Sequence, residues 1–213
     1  MQAEEMTFRE WCAKNPLANR HCDRLRFLSA DLDVLQMVSP GGVNRLLRVA
    51  PEGAGNTTLA TLFAAYYLDQ NPRSVVHYFT YSRRMGEIGA RKIKQYNPCL
   101  IKSDPDRVKG TSIHVSLCGS GADLTIVDSP FRNMQDALCP SIREQVWGAL
   151  LENVRTRMNH PDRPILIFSP IYHEDDLIGR LVCPGECGED WAKVYYPEGN
   201  RMFDAFRRKY DDA

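Results

Sequence analysis

The sequence predicts an α/β fold, a mainly parallel sheet flanked by helices on both faces. Three observations carry that prediction. Short apolar or β-branched runs alternate with longer amphipathic stretches, the pattern of successive βαβ units. The run ending at Val49 passes through P-E-G-A-G-N-T-T into A-T-L-F-A-A-Y-Y-L, which reads as strand, glycine-rich turn, helix. A later run, D-L-T-I-V-D from Asp123 to Asp128, reads as a buried strand ending on a carboxylate. Sites on parallel sheets form at the carboxyl ends of strands, and both features lie there.

Composition narrows the class. A length of 213 residues favours one domain or one domain with a small appendage, with enough chain for a sizeable core. We divide it into an N-terminal helical segment at 1–40, a core at 41–198 and a charged tail at 199–213. Lys plus Arg and Asp plus Glu each number 27, so any contact with nucleic acid must come from local basic patches. The seven cysteines contain no C-x-x-C pair and suit a reducing cytosol better than a disulfide framework. The acidic start M-Q-A-E-E predicts no signal peptide. No run of roughly 18 apolar residues predicts a membrane span.

Residues 6–14 predict a short amphipathic helix stopped near Asn15-Pro16. A second helix is predicted from Asn19 to Val38. Its apolar residues Leu25, Leu28, Leu32, Leu35 and Val38 face away from Arg20, Arg24, Arg26 and Asp31. Ser39-Pro40-Gly41-Gly42 breaks the chain before the first strand, which includes Leu46, Leu47 and Val49. In the helix after the loop, Leu59, Leu62, Phe63 and Tyr66 share a face. Ser74 to Thr80 predicts a second strand, and Ser82 caps a helix running to about Gln95. A loop is expected from Asn97 to Gly110, then a half-exposed strand from Thr111 to Leu117. After the Asp123–Asp128 strand, a Pro-containing loop leads to a helix capped by Ser141 and running through Trp147, a core residue, to Val154. Pro164 to Phe168 predicts another strand, His173 to Leu181 a short acidic-headed helix, and Lys193 to Tyr196 a last strand.

The stretch 49–59 has the layout of a phosphate-binding loop. Backbone N–H groups and a helix N-terminus would hold an anion, and a Ser/Thr hydroxyl would reach Mg²⁺. The position of the phosphate-binding lysine is Asn56. A nucleotide hydrolase also needs an acidic strand end followed by a second acid that activates water. Asp128 supplies the first, but the next residue is Ser129, which is no general base at neutral pH. Loss of the ammonium removes roughly 1.5–3 kcal/mol of charge-assisted contact. Loss of the acid/base group costs about 10²–10⁴ in rate.

The chain resembles the motor domain of phage terminase large subunits, which pump DNA into capsids. The resemblance runs from about His21 to Tyr196. It rests on His21-Cys-Asp23, R-L-L-R-V-A-P at 45–51, A-A-Y-Y-L-D-Q-N-P at 64–72 and Tyr81-Ser82. It continues through G-S-G-A-D-L-T-I-V-D-S-P at 119–130, S-I-R-E-Q-V-W at 141–147, H-E-D-D-L-I-G-R-L at 173–181 and G-E-D-W at 188–191. The resemblance implies a P-loop NTPase-like fold, a ring of subunits on a capsid portal and the cytoplasm of a host cell. It also implies small terminase, portal and double-stranded DNA as partners, with no membrane. The family adds a nuclease domain after the ATPase, and these 213 residues stop before one. A working site would hold Mg-ATP on Gly53, Ala54, Gly55, Asn56, Thr57 and Thr58, with Thr57 and Asp128 around the metal. Gly55 and Thr57 match the family. Asn56 stands for its lysine, Glu52 and Gly53 for its common proline and arginine, Ser129 for its second acid and Tyr172 for a tryptophan. Ser169 or Pro170 occupies the region that couples hydrolysis to motion. A DNA-packaging ATPase with weak or absent hydrolysis is one expectation. A non-enzymatic interaction module, a pseudoATPase, is the other.

Plainer readings stand beside several of these residues. Asp128 is either a magnesium-associated ligand or a carboxylate capping backbone. His173 to Asp176 suits a metal less well than a helix dipole, and Cys183-x₃-Cys187 is a weak zinc pattern. Arg83, Arg84, Arg91 and Lys92 form a solvated face or a contact to DNA or a neighbour's nucleotide. Arg143, Arg155 and Arg157 are equivalent candidates for an arginine acting in trans.

Overall fold

In a computed structural model, residues 6–21, 29–98, 104–182 and 190–196 are described. Six strands, β1 Arg45–Val49, β2 Val76–Thr80, β3 Val108–Ser112, β4 Leu124–Asp128, β5 Ile165–Ser169 and β6 Ala192–Tyr195, form one sheet in the order β3-β2-β4-β5-β1-β6. Every pairing is parallel. The fold is thus α/β with an all-parallel sheet flanked by helices, consistent with a P-loop-like architecture.

Strand burial explains the sequence pattern. β1, β2, β4 and β5 are buried at every position, as strands covered on both faces must be. On one face lie α1 (Phe8–Lys14), α2 (Ser29–Gln36), α3 (Asn56–Gln70) and α4 (Arg83–Tyr96). On the other lie α5 (Met134–Leu138), α6 (Pro140–Ala149) and α7 (Leu177–Val182). Helix α3 is buried continuously from Leu59 to Leu68, wedged between the sheet and the N-terminal helix. Phe8 of α1 meets Phe63 edge-on at 5.5 Å, and Trp11 Nε1 donates to Asp69 at 3.1 Å. Helix α4 rides very close on β3, where a Cβ at Gly110 would stand 2.0 Å from the Gly86 carbonyl oxygen.

Several expected boundaries need correction. The strand placed at Thr111–Leu117 is Val108–Ser112, because its partner β2 ends at Thr80, opposite Ser112. Ile113 to Gly121 instead crosses over the sheet toward β4. Ser141 does not cap α6; Cys139 is the cap, with Pro140 in the first turn. The loop before it contains α5, capped by Asn133, whose side chain accepts from Asp136 N at 3.0 Å. The helix expected to reach Val154 passes into a π turn at Leu150–Val154 and a 3₁₀ turn at Arg155–Arg157. The helix at 173–181 starts only at Leu177, after a turn. Trp147 is only partly buried, with the Arg180 guanidinium 5.5 Å from its ring centre. Within the helix expected at 19–38, a 3₁₀ turn occupies Asn19–His21 and Ser29–Gln36 is α-helical. Residues 22–28, the Cys183/Cys187 pair and the tail at 199–213 lie outside the described residues. Among the described residues no helix is long and apolar enough to cross a membrane.

Phe8 is wholly buried against α3. Phe8→Ala is expected to lower unfolding free energy by about 3–5 kcal/mol, read from urea titrations. A loss below about 1 kcal/mol would show that α1 does not brace α3.

Candidate functional site

The site is built at the carboxyl ends of β1, β4 and β5. β5 lies between β1 and β4, so the loop after β1 and the end of β4 face each other across one strand. The loop turns through two left-handed glycines, Gly53 (φ 80°) and Gly55 (φ 81°), and Gly55 is the cap of α3. Other residues adopt that conformation only with strain. Ala54 N donates to Pro51 O at 3.2 Å and Leu59 N to Gly55 O at 2.9 Å, closing the turn into the helix. Thr57 and Thr58 are half-buried in the first turn.

Beneath the loop lies a residue that sequence reasoning passed over. Arg48 of β1 is 1% exposed, although its strand neighbours are apolar. Its Nε and Nη2 donate to Asp31 Oδ2 at 3.1 and 3.0 Å, and Nη2 also reaches Ala54 O at 3.3 Å. Nη1 donates to Asn56 Oδ1 in a short contact, while Asn56 Nδ2 donates to Ala50 O at 3.1 Å. The Tyr196 ring lies 6.0 Å from the guanidinium carbon. Asp31, expected on the polar face of its helix, is instead 5% exposed and paired with Arg48. Burial raises the Asp31 carboxyl above its usual range, and the Arg48 charge opposes that rise. A charged residue inside a five-residue buried strand was the available signal, since such a charge requires a buried partner.

The structure brings Thr57 and Asp128 together: Thr57 Oγ1 donates to Asp128 Oδ2 at 2.7 Å. The same oxygen accepts from Tyr78 Oη at 2.5 Å, and Asp128 Oδ1 accepts from Ser129 Oγ at 3.3 Å. Asp128 is 4% exposed, and burial pushes its carboxyl upward against these three hydroxyl donors. Burial likewise raises the Tyr78 phenol, reinforced by the neighbouring carboxylate, so it remains a donor. Ser129 is the one non-glycine residue with positive φ among those described, at 51°. Its N–H donates to Phe168 O at 2.9 Å and its carbonyl accepts from Tyr81 N at 3.2 Å, which fixes the strained turn between the ends of β2 and β5.

The other candidates are absorbed by local structure. Glu52 on the loop accepts a short hydrogen bond from Tyr172 Oη. Burial and that carboxylate together raise the Tyr172 phenol strongly. Ser169 is buried, with Oγ donating to the Pro170 carbonyl at 2.9 Å. In the His173–Asp176 run, Asp176 is wholly buried and accepts from the N–H groups of Tyr172, His173 and Gly179 at 2.7, 3.1 and 2.9 Å. Asp175 pairs with Arg143 and Arg180 at 2.9 and 2.8 Å. Among the described residues no group of three or more His, Cys, Asp or Glu is arranged to hold a metal.

Of the proposed arginines, Arg143 is buried and also donates to the carbonyls of Ala137 and Leu138, so it is fixed inside its own subunit. Arg157 donates to Ser116 Oγ at 3.1 Å. Arg83 is exposed and pairs with Glu87 at 2.9 Å; Arg84 and Arg91 are exposed, whereas Lys92 is half-buried and its charge favours the ionised Asp128 carboxylate.

Asn56→Lys would set an ammonium beside the buried Arg48 guanidinium. The expected cost is about 3 kcal/mol, the scale of an uncompensated buried charge. In an Arg48→Met background the same change should cost much less, because the repulsion is gone and Asp31 lacks a cation. A double-mutant cycle by denaturant unfolding measures this; additive effects would show that the two positions do not interact.

No model of a known protein family matches the chain, and no curated protein matches it.

Proposed function

We propose that the chain is a terminase large-subunit ATPase-like domain, related to the viral DNA-packaging motor, whose nucleotide site no longer hydrolyses Mg-ATP. The observation that carries this reading is the hydrogen bond from buried Arg48 to Asn56. In a phosphate-binding loop a cation faces outward to the β- and γ-phosphates. Here the guanidinium under the loop is committed to Asp31, Asn56 and Ala54, and the loop itself carries the Glu52 carboxylate. Ser129 in place of a second acid leaves no group there to take a proton from water. On this reading the domain serves as a non-enzymatic module in the host cytoplasm. Its partners are small terminase, the capsid portal with its double-stranded DNA, or further copies of itself in a ring.

A second reading, weak retention of Mg-ATP, is favoured by the Thr57–Asp128 hydrogen bond, which joins the two groups expected around magnesium. Thermal unfolding with and without millimolar Mg-ATP separates the two. Binding at a hundredfold excess over Kd adds about 2.7 kcal/mol, a rise of roughly 5–10 °C for a chain of this size. The wild type should show no rise and no phosphate release, and neither Asn56→Lys nor Asn56→Lys/Ser129→Glu should restore them while Arg48 remains. A rise of several degrees in the wild type, with phosphate release, would overturn the proposal.

A further inference from the structure

The opposite end of the sheet holds a row of polar side chains that the candidate site does not use. In register across three strands, Lys109 of β3, His77 of β2 and Thr125 of β4 lie side by side on the face that carries α6. The next row up that face contains Phe79 and Val127, both wholly buried. His77 is itself wholly buried and Thr125 is 1% exposed. His77 Nε2 meets Ser120 Oγ at 2.9 Å, whereas His77 Nδ1 and Thr125 Oγ1 are both buried without a hydrogen-bond partner.

What covers this row is the crossover from Ile113 to Gly121, which belongs to neither strand nor helix. Ile113 anchors it, wholly buried in the core, and Leu117 packs partly against that core; beyond these its hold on the protein is a few hydrogen bonds. Ile113 N donates to Thr80 O at 2.8 Å, and Asn153 Nδ2 donates to Ile113 O at 3.0 Å. Arg157 Nε reaches Ser116 Oγ at 3.1 Å, and Ser120 meets His77. Gly119 turns through φ 74°. His114, Val115, Cys118 and Gly119 are exposed. Segments with few buried contacts and no ladder open at lower free energy than the sheet beneath them.

We propose that Ile113–Gly121 is a cover released by acid: a second proton on His77 sets a cation against Lys109 beneath the segment, which opens while the sheet stays closed. The groups facing His77 are the Lys109 ammonium, the Asp123 carboxylate and the Ser120 hydroxyl; Arg157 approaches the cover from the α6 side. Asp123 attracts the imidazolium, but it is already engaged by Val75 N at 2.9 Å, Asn159 Nδ2 at 3.1 Å and Arg163 at 3.4 Å. Burial first, and Lys109 second, lower the imidazole from 6.5 to about 4. The closed form therefore holds fewer protons than the open form between these values. The stability that neutral His77 contributes to closure is fully present above about pH 6.5 and falls away as pH drops toward 4.

Hydrogen exchange by mass spectrometry at pH 7 and pH 4.5, corrected for the intrinsic chemical rate, tests this on the full chain. Opening of peptides within 113–121 should rise about 50-fold in the wild type, while β5 peptides keep their protection. His77→Gln, whose amide can still meet Ser120, should abolish the rise, and His77→Asn serves the same purpose if the Gln variant does not fold. His114→Gln, on the cover itself, should preserve it. Unchanged exchange in the wild type, an equal rise in the His77 variants, loss of the rise in His114→Gln, or simultaneous opening of β5 would each overturn the proposal.

Discussion

A guanidinium inside the central sheet is the constraint from which the loop region follows. Arg48 occupies a strand position buried on both faces, where an isolated charge is untenable. Asp31 supplies the countercharge, which ties α2 to β1. The remaining donors must also be met, and the chain meets them with the loop itself. The Ala54 carbonyl and the Asn56 side chain turn down onto the guanidinium. The left-handed glycines at 53 and 55 let the backbone fold over in this way. The glycine-rich turn is here wrapped around a cation from below. Removing either member of such a buried pair costs about 3–5 kcal/mol.

The neighbouring acids are settled by the same internal matching. Asp128 is ringed by the hydroxyls of Thr57, Tyr78 and Ser129, Asp176 by three backbone N–H groups, and Glu52 by the Tyr172 phenol. Each of these carboxylates has donors from this chain, and burial raises Asp128 and Asp176 against the pull of those donors. Satisfied buried networks rigidify a structure. At the other end, His77 and Thr125 leave hydrogen-bonding capacity unfilled beneath a crossover held, beyond Ile113 and Leu117, by a few hydrogen bonds. The end that resembles a site is thus the firmly closed one, and the end without motifs is the one with slack.

The alternation of strands and helices was enough to read the sheet, because β1, β2, β4 and β5 are covered on both faces and appear as short runs rich in apolar and β-branched residues. β3 was displaced because its residues V-K-G-T-S carry no strong pattern; close packing of α4 through Gly86 and Gly110 places it. Helix α5 was missed for lack of length, with five residues and no full apolar period. At the site, the nearness of Thr57 to Asp128 was legible from their strand-end positions. The Arg48–Asp31 pair was not, since it joins residues 17 apart through a tertiary contact that helical periodicity assigned to solvent. Tyr78 was hidden for a similar reason: an aromatic in a buried strand reads as core, and its hydroxyl partner lies on another strand.

Arg48, Asn56, Thr57, Asp128 and Ser129 are linked by hydrogen bonds and chain adjacency at the carboxyl end of the sheet. With Arg48 charged beneath the loop, a lysine at 56 would face a like charge at hydrogen-bonding distance in a desolvated setting, where repulsion is far stronger than in water. A neutral side chain offering an acceptor downward and a donor to the Ala50 carbonyl is what that position requires, and asparagine provides both. An acid after Asp128 would add a second carboxylate beside one already desolvated. Serine there donates to Asp128 instead, and its backbone links the ends of β2 and β5. Arg48 thus makes a lysine costly at position 56, while at position 129 serine supplies a donor to Asp128 where an acid would add a like charge.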